Sequence, residues 1–406
     1  MTQTTKLPRN VWIVTLTSFL TDISSEMIVY LLPLYLANVL GVKTNIIGLI
    51  EGMGETTASL LKLFSGWLSD KLRTRKWLTV LGYSLSTFAK PLLIFASSWG
   101  AVLFVRLLDR TGKGIRTSPR DALIADSIDE TQRGAAFGLH RAGDTAGAAL
   151  GLLIALIVVA LAQQAGEVHL TATTFQTLVI ISFIPALLAV IALIVGAQEV
   201  KLKPFGAAPN LSLVGFDRRF KFFLVIVILF TLGNSSDAFL ILRAQERGLS
   251  LTAIMAMVLC FNILYAFISS PAGKLSDRIG RKRLIIVGWV AYGLIYLGFA
   301  LADPSWQVFG LYVLYGLYYG LAEGASKALV ADLILPEQRG TGYGLYNAAV
   351  GLAAFPASVL AGILWQGIGS FNGFGARAPF LFGAVLAITA AILLVFLSTS
   401  SRGKIE

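Results

Sequence analysis

The chain has 406 residues, of which 56% are hydrophobic and only 14% are charged, and its formal net charge is +11 at neutral pH. A soluble domain is about one quarter charged, so this composition, with a mean hydropathy of +0.76, excludes an ordinary soluble protein of two or three domains. The single cysteine excludes an internal disulfide and a cysteine-based metal cluster. The excess positive charge lies in short loops between apolar segments, which argues against a nucleic-acid partner.

Apolar segments of membrane-spanning length follow one another along the whole chain. The predicted spans are 11–37, 45–68, 77–96, 100–124, 134–163, 175–196, 220–242, 251–272, 284–302, 306–331, 340–369 and 379–399. Helices are expected because backbone N–H and C=O groups cannot remain unpaired in hydrocarbon. The sequence therefore predicts an all-α integral membrane protein with twelve transmembrane helices.

The distribution of lysine and arginine predicts the orientation of these spans, since cytoplasmic loops carry the excess of both residues. Loops assigned to the cytoplasm contain Lys71, Arg73, Arg75, Lys76, Arg133, Lys201, Lys203, Arg218, Arg219, Lys274, Arg278, Arg281, Lys282 and Arg283. The opposite loops contain Lys43, Arg243, Arg247 and Arg377. We therefore expect a multi-pass protein of the cytoplasmic membrane with both termini in the cytoplasm.

An internal repeat divides the chain into two halves. GWLSDKLRTRK, from Gly66, recurs as GKLSDRIGRKR from Gly273, and ADSIDETQRGAAFGL, from Ala125, matches ADLILPEQRGTGYGL from Ala331. The predicted division is 1–196 for an N-terminal six-helix bundle, 197–219 for a cytoplasmic linker and 220–406 for a C-terminal six-helix bundle. The nearly equal separation of the repeated motifs predicts two pseudo-symmetric bundles.

These repeated segments resemble the major facilitator superfamily of secondary transporters. Its hallmark G-x-L-[SA]-D-[RK]-x-G-R-[RK] is matched fully from Gly273, whereas the first copy has Arg73 and Thr74 in place of the second glycine and the next arginine. Arg110 and Gly114 resemble a second family motif in span four. The resemblance implies the superfamily fold, alternating access and transport of a small molecule.

Span four carries a stripe of five cations, Arg106, Arg110, Lys113, Arg116 and Arg120. Their spacing of four, three, three and four places them on one helix face. Near the bilayer centre each exposed charge costs about 3 kcal/mol, so the stripe must face protein or a water-filled cavity. The resemblance implies that span four lines the central cavity.

Acidic residues on neighbouring spans can compensate the cations. The candidate substrate-binding or coupling residues are Asp22, Glu26, Glu51, Glu55, Arg106, Asp109, Arg110, Lys113, Arg116, Arg141, Asp144, Asp237, Glu323 and Lys327. A buried carboxylate without a full partner can take up a proton near neutral pH, which favours proton coupling, with sodium as the other possible coupling ion. The alternative is that these residues form ion pairs that only fix helix packing.

A second set of charged residues lies at the predicted cytoplasmic ends of the helices. The resemblance implies a cytoplasmic gate made of Asp70, Arg75, Asp126, Asp277, Arg278, Arg281 and Asp332, and the position of Arg120 and Asp121 on span four makes them further candidates for this gate. The alternative is that the loop cations only orient the helices in the membrane.

The cation stripe favours an anionic or zwitterionic solute, while the aromatic second half keeps efflux of amphipathic drugs as an alternative. A lipid flippase is the alternative from another class. The GKG at Gly112 lacks the spacing of a phosphate-binding loop, and no zinc signature or nucleophile elbow is found, so we expect no enzyme activity and no metal or cofactor. We expect a monomer in the lipid bilayer, with direction of transport and stoichiometry left open.

Overall fold

The computed structural model describes residues 7–129, 132–163, 166–200, 212–335 and 339–397. The side chains of Arg133, Asp277 and Arg339 lie outside the described part. Nearly all of the described residues are helical, and among them one isolated antiparallel bridge joins Ile368 to Phe371.

Fourteen α-helices form the described part of the chain. In the first half they are α1 (Arg9–Val29), α2 (Leu32–Leu34), α3 (Thr44–Lys71), α4 (Lys76–Ala89), α5 (Trp99–Ala125), α6 (Arg133–Ala162) and α7 (Ala172–Gly196). In the second half they are α8 (Arg218–Gly233), α9 (Ala238–Glu246), α10 (Leu251–Ile279), α11 (Arg281–Leu301), α12 (Ser305–Leu333), α13 (Arg339–Gln366) and α14 (Ala378–Val395). A π-helical turn, Tyr35–Val39, continues α2, and a 3-10 segment, Lys90–Phe95, continues α4.

The helices agree approximately with the twelve predicted spans, because α1 with α2 and α8 with α9 each make one crossing. Nine described segments are long and apolar enough to cross a membrane. The other three crossings, α3, α5 and α12, have 28, 27 and 29 residues but carry many of the interior charges. Their polarity reflects what they face inside the bundle rather than a failure to span.

Local chemistry sets several helix boundaries. Ser98, Thr171 and Ser250 each cap a helix by accepting a hydrogen bond from a backbone N–H in its first turn. Gly280 ends α10 with φ of +92°, whereas the equivalent position of the first repeat, Arg73, has φ of +52°. A left-handed backbone is strained for a residue with a Cβ, so the departure from the motif at Arg73 has a local energetic cost.

Helix pairing shows the relation between the two halves. In the first half, α1 packs on α6 and α7, α3 packs on α5, and α4 packs on α5 and α7. In the second half, α8 packs on α13 and α14, α10 packs on α12, and α11 packs on α12 and α14. Each pair in one half has its counterpart in the other, as expected for two pseudo-symmetric six-helix bundles.

The halves meet mainly through two helix pairs, α3 with α13 and α6 with α10, with smaller contacts of α2 and α3 with α9. The contact between α3 and α13 is close because Gly52 has no side chain: a Cβ there would lie 3.0 Å from the carbonyl oxygen of Phe355. One turn further along α3, the Thr56 hydroxyl donates to the carbonyl oxygen of Gly351 at 2.7 Å. These contacts hold the first and second halves together along the middle of the bundle.

The two ends of the bundle differ. We call the end that carries loops 71–76 and 279–283 the basic end, and the other the opposite end. At the opposite end, Asn38 donates to the side chain of Gln245 and Asn45 donates to the carbonyl oxygen of Gly367, both at 3.0 Å and both across the halves. These bonds close the opposite end.

Candidate functional site

A central cavity of about 420 Å³ lies between the halves. From the first half, Glu26 on α1, Glu55 on α3 and Arg110 and Lys113 on α5 line it. Asp237 faces it from the second half. The cavity therefore brings together charged residues that are far apart in the sequence.

The stripe on α5 faces protein, as the side chains of Arg106 and Arg110 are only 7% exposed each. Arg106 Nη2 donates to Glu51 Oε2 at 2.6 Å, and the Glu51 side chain is 5% exposed. Arg110 Nη2 lies 3.0 Å from Glu55 Oε1, but the Glu55 side chain is 45% exposed. Both ion pairs border the central cavity, but the first is almost fully buried, whereas water can reach Glu55 of the second.

Arg116 faces away from the central cavity, towards α4. Its Nη1 donates to the Ser86 hydroxyl at 2.8 Å, and its guanidinium carbon lies 4.4 Å from the ring centre of Tyr83. Gly82 and Gly112 make this possible by letting the backbones of α4 and α5 approach closely. This packing environment favours a structural role for Arg116, the alternative that the sequence left open.

A smaller cavity of about 120 Å³ lies within the first half. Asp22 and Glu26 on α1 and Asp109 and Lys113 on α5 line it. In the described part of the chain, none of these four side chains makes a hydrogen bond or ion pair. Lys90, which was not among the candidate site residues, also lines this cavity and donates to the Ser24 and Ser25 hydroxyls at 2.6 and 3.1 Å.

Lys113 lines both of these cavities. Glu26 also lines both the smaller cavity and the central cavity. The two residues therefore lie at the junction between the space within the first half and the space between the halves. A cation and a carboxylate without direct partners at such a junction can respond to a bound solute or to protonation.

In the second half, the crossing formed by α8 and α9 is interrupted at 234–237. Tyr315 donates to Asp237 Oδ1 at 3.1 Å, and Asn234 donates to the Tyr318 hydroxyl at 3.3 Å. The sequence predicted one continuous helix here. The run of four polar residues, Asn-Ser-Ser-Asp, in an apolar segment was the available signal for a break that exposes backbone to the cavity.

A third cavity, of about 350 Å³, lies between α6, α10 and α12. Arg141 donates across the halves to the Tyr265 hydroxyl at 2.5 Å, and Tyr265 donates to Glu323 at 2.9 Å. Lys327 completes the chain at 2.8 Å from Glu323. The structure thus joins three predicted site residues through a tyrosine that the sequence analysis did not include.

The remaining predicted coupling residue, Asp144, lies on α6, where one carboxylate oxygen is 3.8 Å from Nε2 of His140. Arg120 and Asp121, predicted for the gate, pair with each other at 2.9 Å within the first half. Arg120 also donates to the Ser18 hydroxyl at 3.3 Å. These residues form a charged cluster among α1, α5 and α6, separate from the central cavity.

The predicted gate residues of the first repeat converge at the basic end. The guanidinium of Arg75 lies 2.5 Å from Asp70 and 3.2 Å from Asp126. In the second repeat Arg281 pairs with Asp332. Arg278 is exposed, and the side chain of Asp277 lies outside the described residues.

Glu199, which sequence reasoning missed, joins the first of these clusters. Its carboxylate accepts hydrogen bonds from the Thr74 hydroxyl at 2.7 Å and from the backbone N–H of Arg75 at 2.8 Å. Partial burial raises the pKa of Glu199, but these hydrogen bonds to the ionised form outweigh it, so the pKa is lowered from its usual value. Glu199 thereby ties the segment after α7 to the start of α4.

Arg243 corrects a sequence-based assignment. It was placed in a loop on the outer side, but it lies within α9 and is fully buried. It donates to the carbonyl oxygens of Phe299 and Ala302 at 3.2 and 3.1 Å and pairs with Glu246 at 2.5 Å. The apolar run ends before this arginine in the sequence, but backbone carbonyls supply the partners that keep it inside.

Comparison with known proteins gives a family-level match over the chain. Residues 14–242 and 222–405 match the Major Facilitator Superfamily. An uncharacterised MFS-type transporter of Methanocaldococcus jannaschii is 38% identical over 403 residues, which cover 97% of this chain and 96% of the relative. Multidrug resistance protein 2 of Bacillus subtilis is 32% identical over 146 residues, 36% of this chain and 34% of that protein.

Solved structures with the same fold include a POT family transporter in complex with 5-aminolevulinic acid. Its TM-score is 0.79 at 13% sequence identity, and the alignment covers 96% of each chain. At this identity the similarity establishes the fold alone.

Proposed function

The chain belongs to the major facilitator superfamily of membrane transporters, and we propose that it is a secondary active transporter that moves a small zwitterionic or anionic solute by alternating access. Its substrate site is the central cavity between the two bundles. Since that cavity is lined by both halves, a bound solute can contact both and favour their relative movement.

The observation that carries this proposal is that the central cavity contains charged side chains of both signs whose charge no ion pair compensates. Glu51 pairs with Arg106 and Glu55 with Arg110, so their charges are largely compensated. In the described part of the chain Lys113 has no hydrogen-bond or ion-pair partner, while Asp237 accepts only from a tyrosine. Apart from Glu26, which lines both cavities and is assigned to proton uptake below, the two halves thus offer one cation and one anion to the same cavity, which suits a zwitterion, with the solute's carboxylate at Lys113.

The distribution of basic residues supports an orientation of the protein in the membrane. Lysine and arginine concentrate in the loops of the basic end, so we place this end in the cytoplasm, together with both termini, in the cytoplasmic membrane. Because the opposite end is closed, we infer an inward-facing state, in which a solute would reach the cavity from the cytoplasm. Arg75 with Asp70 and Asp126, and Arg281 with Asp332, are placed to act as the gate when the cavity opens to the other side.

Carboxylates without partners support proton coupling. Asp22 and Glu26 are four residues apart on one face of α1 and line the small cavity within the first half. Neither forms an ion pair among the described residues, and a carboxylate in such a position can exchange its charge for a proton. Proton uptake there can accompany solute movement in the adjoining central cavity.

A binding screen on the purified protein tests the solute class. Amino acids, carboxylates, phosphate compounds and amphipathic cations are compared by thermal shift, because a ligand that binds the folded state stabilises it. Lys113→Ala should weaken binding of zwitterions and anions by about 10-fold or more, as expected for loss of a charge-assisted hydrogen bond. Asp237→Asn should weaken zwitterions but not simple anions, and Lys43→Ala, at an exposed lysine outside the cavity, should change neither.

Multidrug efflux is the second candidate, favoured by the similarity of one third of the chain to multidrug resistance protein 2 and by the tyrosines beside Asp237. In that case amphipathic cations stabilise the protein, and binding depends on Asp237 but not on Lys113. Normal zwitterion binding by both variants would contradict the proposed site. Phospholipid scrambling by proteoliposomes with no solute binding would instead indicate a flippase.

A further inference from the structure

A buried imidazole–carboxylate pair lies within the first half, outside the central cavity. His140 and Asp144 are one turn apart on α6, with Nε2 and Oδ2 separated by 3.8 Å. His140 is 4% exposed. Both of its ring nitrogens and Asp144 Oδ1 are buried without a hydrogen-bond partner. Buried polar atoms are normally satisfied, so three such atoms in one pair point to a bound species.

The surroundings of this pair are charged on several sides. Arg120 and Asp121 face His140 from α5, and Arg141 is its neighbour on α6. Asp22 on α1 lies within electrostatic range of Asp144. Helix α7, which also packs on α6, contains no titratable residue. Among the described side chains of α10, Tyr265 is the one that reaches the group, through Arg141.

We propose that His140 and Asp144 form a proton-binding site that couples the proton gradient to movement of the two halves. This inference rests on the proposed function: it adds a second proton site to Asp22 and Glu26, and it places that site apart from the solute site at Lys113 and Asp237. A proton from water adds to the free lone pair of the neutral imidazole and converts it to imidazolium. No other bond changes, and the proton returns to water or passes to Asp22, which borders the small cavity.

Arg141 links the protonation of His140 to movement of the two halves. Arg141 follows His140 directly, and its guanidinium makes the contact with Tyr265 across the halves. In the neutral state Arg141 is the cation at this point of α6. Protonation of His140 places a second cation beside it. The repulsion between the imidazolium and the Arg141 guanidinium, which Asp144 offsets only in part, weakens the contact between α6 and α10.

The protonation state can be measured without knowing the solute. The chain has two histidines, His140 and His169, and His169 is exposed, so ¹⁵N-labelled histidine in the full-length protein in nanodiscs gives two assignable signals and an internal reference. His140 should change from imidazole to imidazolium between about pH 8 and pH 5. In Asp144→Asn the ratio of imidazolium to imidazole at a fixed pH should fall about 10-fold. A His140 signal that stays in one form over this range, or that is unaffected by Asp144→Asn, overturns the proposal.

A second measurement separates coupling from mere titration. Spin labels on cysteines introduced at Leu72 and Ile279, exposed residues at the basic ends of α3 and α10, report the distance between the halves in a Cys260→Ala background. Their distance distribution should change between about pH 8 and pH 5, and His140→Gln should remove at least about half of that change, whereas His169→Gln should not. An unchanged response in His140→Gln contradicts the inference. Failure of the zwitterion screen alone contradicts only the proposed solute site.

Discussion

Two ion pairs of membrane-embedded glutamates differ in burial, and that difference predicts their energetic importance. The side chains of Arg106 and Glu51 are 7% and 5% exposed, whereas those of Lys327 and Glu323 are 55% and 37% exposed. Replacing Glu51 with Gln leaves Arg106 as an uncompensated buried charge. Removing one partner of a buried pair costs about 3–5 kcal/mol.

The structure places this cost near the lower limit of that range. Glu51 Oε1 and Arg106 Nε already lack hydrogen-bond partners, so the pair has one strong contact rather than two. A loss of about 3 kcal/mol corresponds to a change of more than about 100-fold in the unfolding equilibrium. Glu323→Gln, which removes the same charge from an exposed pair, should cost less than about 1 kcal/mol.

The free energy of unfolding of both variants can be measured in mixed detergent micelles by titration with a denaturing detergent, followed by circular dichroism. The double variant of Glu51→Gln and Arg106→Gln should recover part of the loss, since no buried charge is then left unpaired. The reasoning is refuted if Glu51→Gln and Glu323→Gln differ by less than about 1 kcal/mol. It is also refuted if the double variant is less stable than the sum of the single losses.

Three further predictions concern the scaffold. Gly147→Ala should destabilise the protein by about 1–3 kcal/mol, because the new methyl group would overlap the backbone oxygen of Phe19 on α1. Arg73→Gly should stabilise it by about 0.5–1 kcal/mol by relieving a left-handed backbone at φ of +52°. The pKa of Glu199 is lowered in the folded state, so its stabilising contribution is present above its usual pKa and is lost as the pH falls through the lowered value. Thermal unfolding as a function of pH should therefore show a weaker acid-side loss of stability in Glu199→Gln.

Each of these predictions has a matched comparison. Gly138 lies on the same helix as Gly147, and no atom lies within 4 Å of the position that an added methyl group would take there. Gly138→Ala should therefore be neutral or slightly stabilising, and equal losses at both sites would contradict the packing argument. Arg73→Ala keeps the Cβ and should give no gain of the kind expected for glycine. An identical acid-side slope in wild type and Glu199→Gln would show that the hydrogen bonds at the start of α4 do not stabilise the ionised form.

The predicted site residues could be named from the sequence but not paired. Spacing placed Arg106, Arg110 and Lys113 on one face of a helix, and the carboxylates of α1 and α3 were evident as possible partners. Which acid meets which cation depends on the rotation and separation of helices packed side by side. The tertiary structure therefore decides that Lys113 is a cation of the stripe with no hydrogen-bond or ion-pair partner among the described residues.

The sequence analysis missed residues whose local sequence gives no indication of their role. Tyr265 is one of three aromatic residues in an apolar span, with Phe261 and Phe267, and nothing in its neighbourhood distinguishes it from core. His140 belongs to no ligand pattern, yet the fold brings Arg120, Asp121 and Asp144 around it. Arg243 follows an apolar run and looked like the start of a loop, until the carbonyl groups at the end of α11 proved to be its partners.

The amino-acid sequence by itself determined the helical class, the approximate twelve crossings, the duplicated halves and the family. These follow from hydrophobicity, residue spacing and repeated motifs, all of which act over short stretches of chain. Only the tertiary structure decided which charges are compensated, where the span that carries Asp237 breaks, and which end of the bundle is closed, because those features depend on contacts between residues from distant parts of the chain. The cavity exists only when both halves are in place, and so no local pattern could describe it.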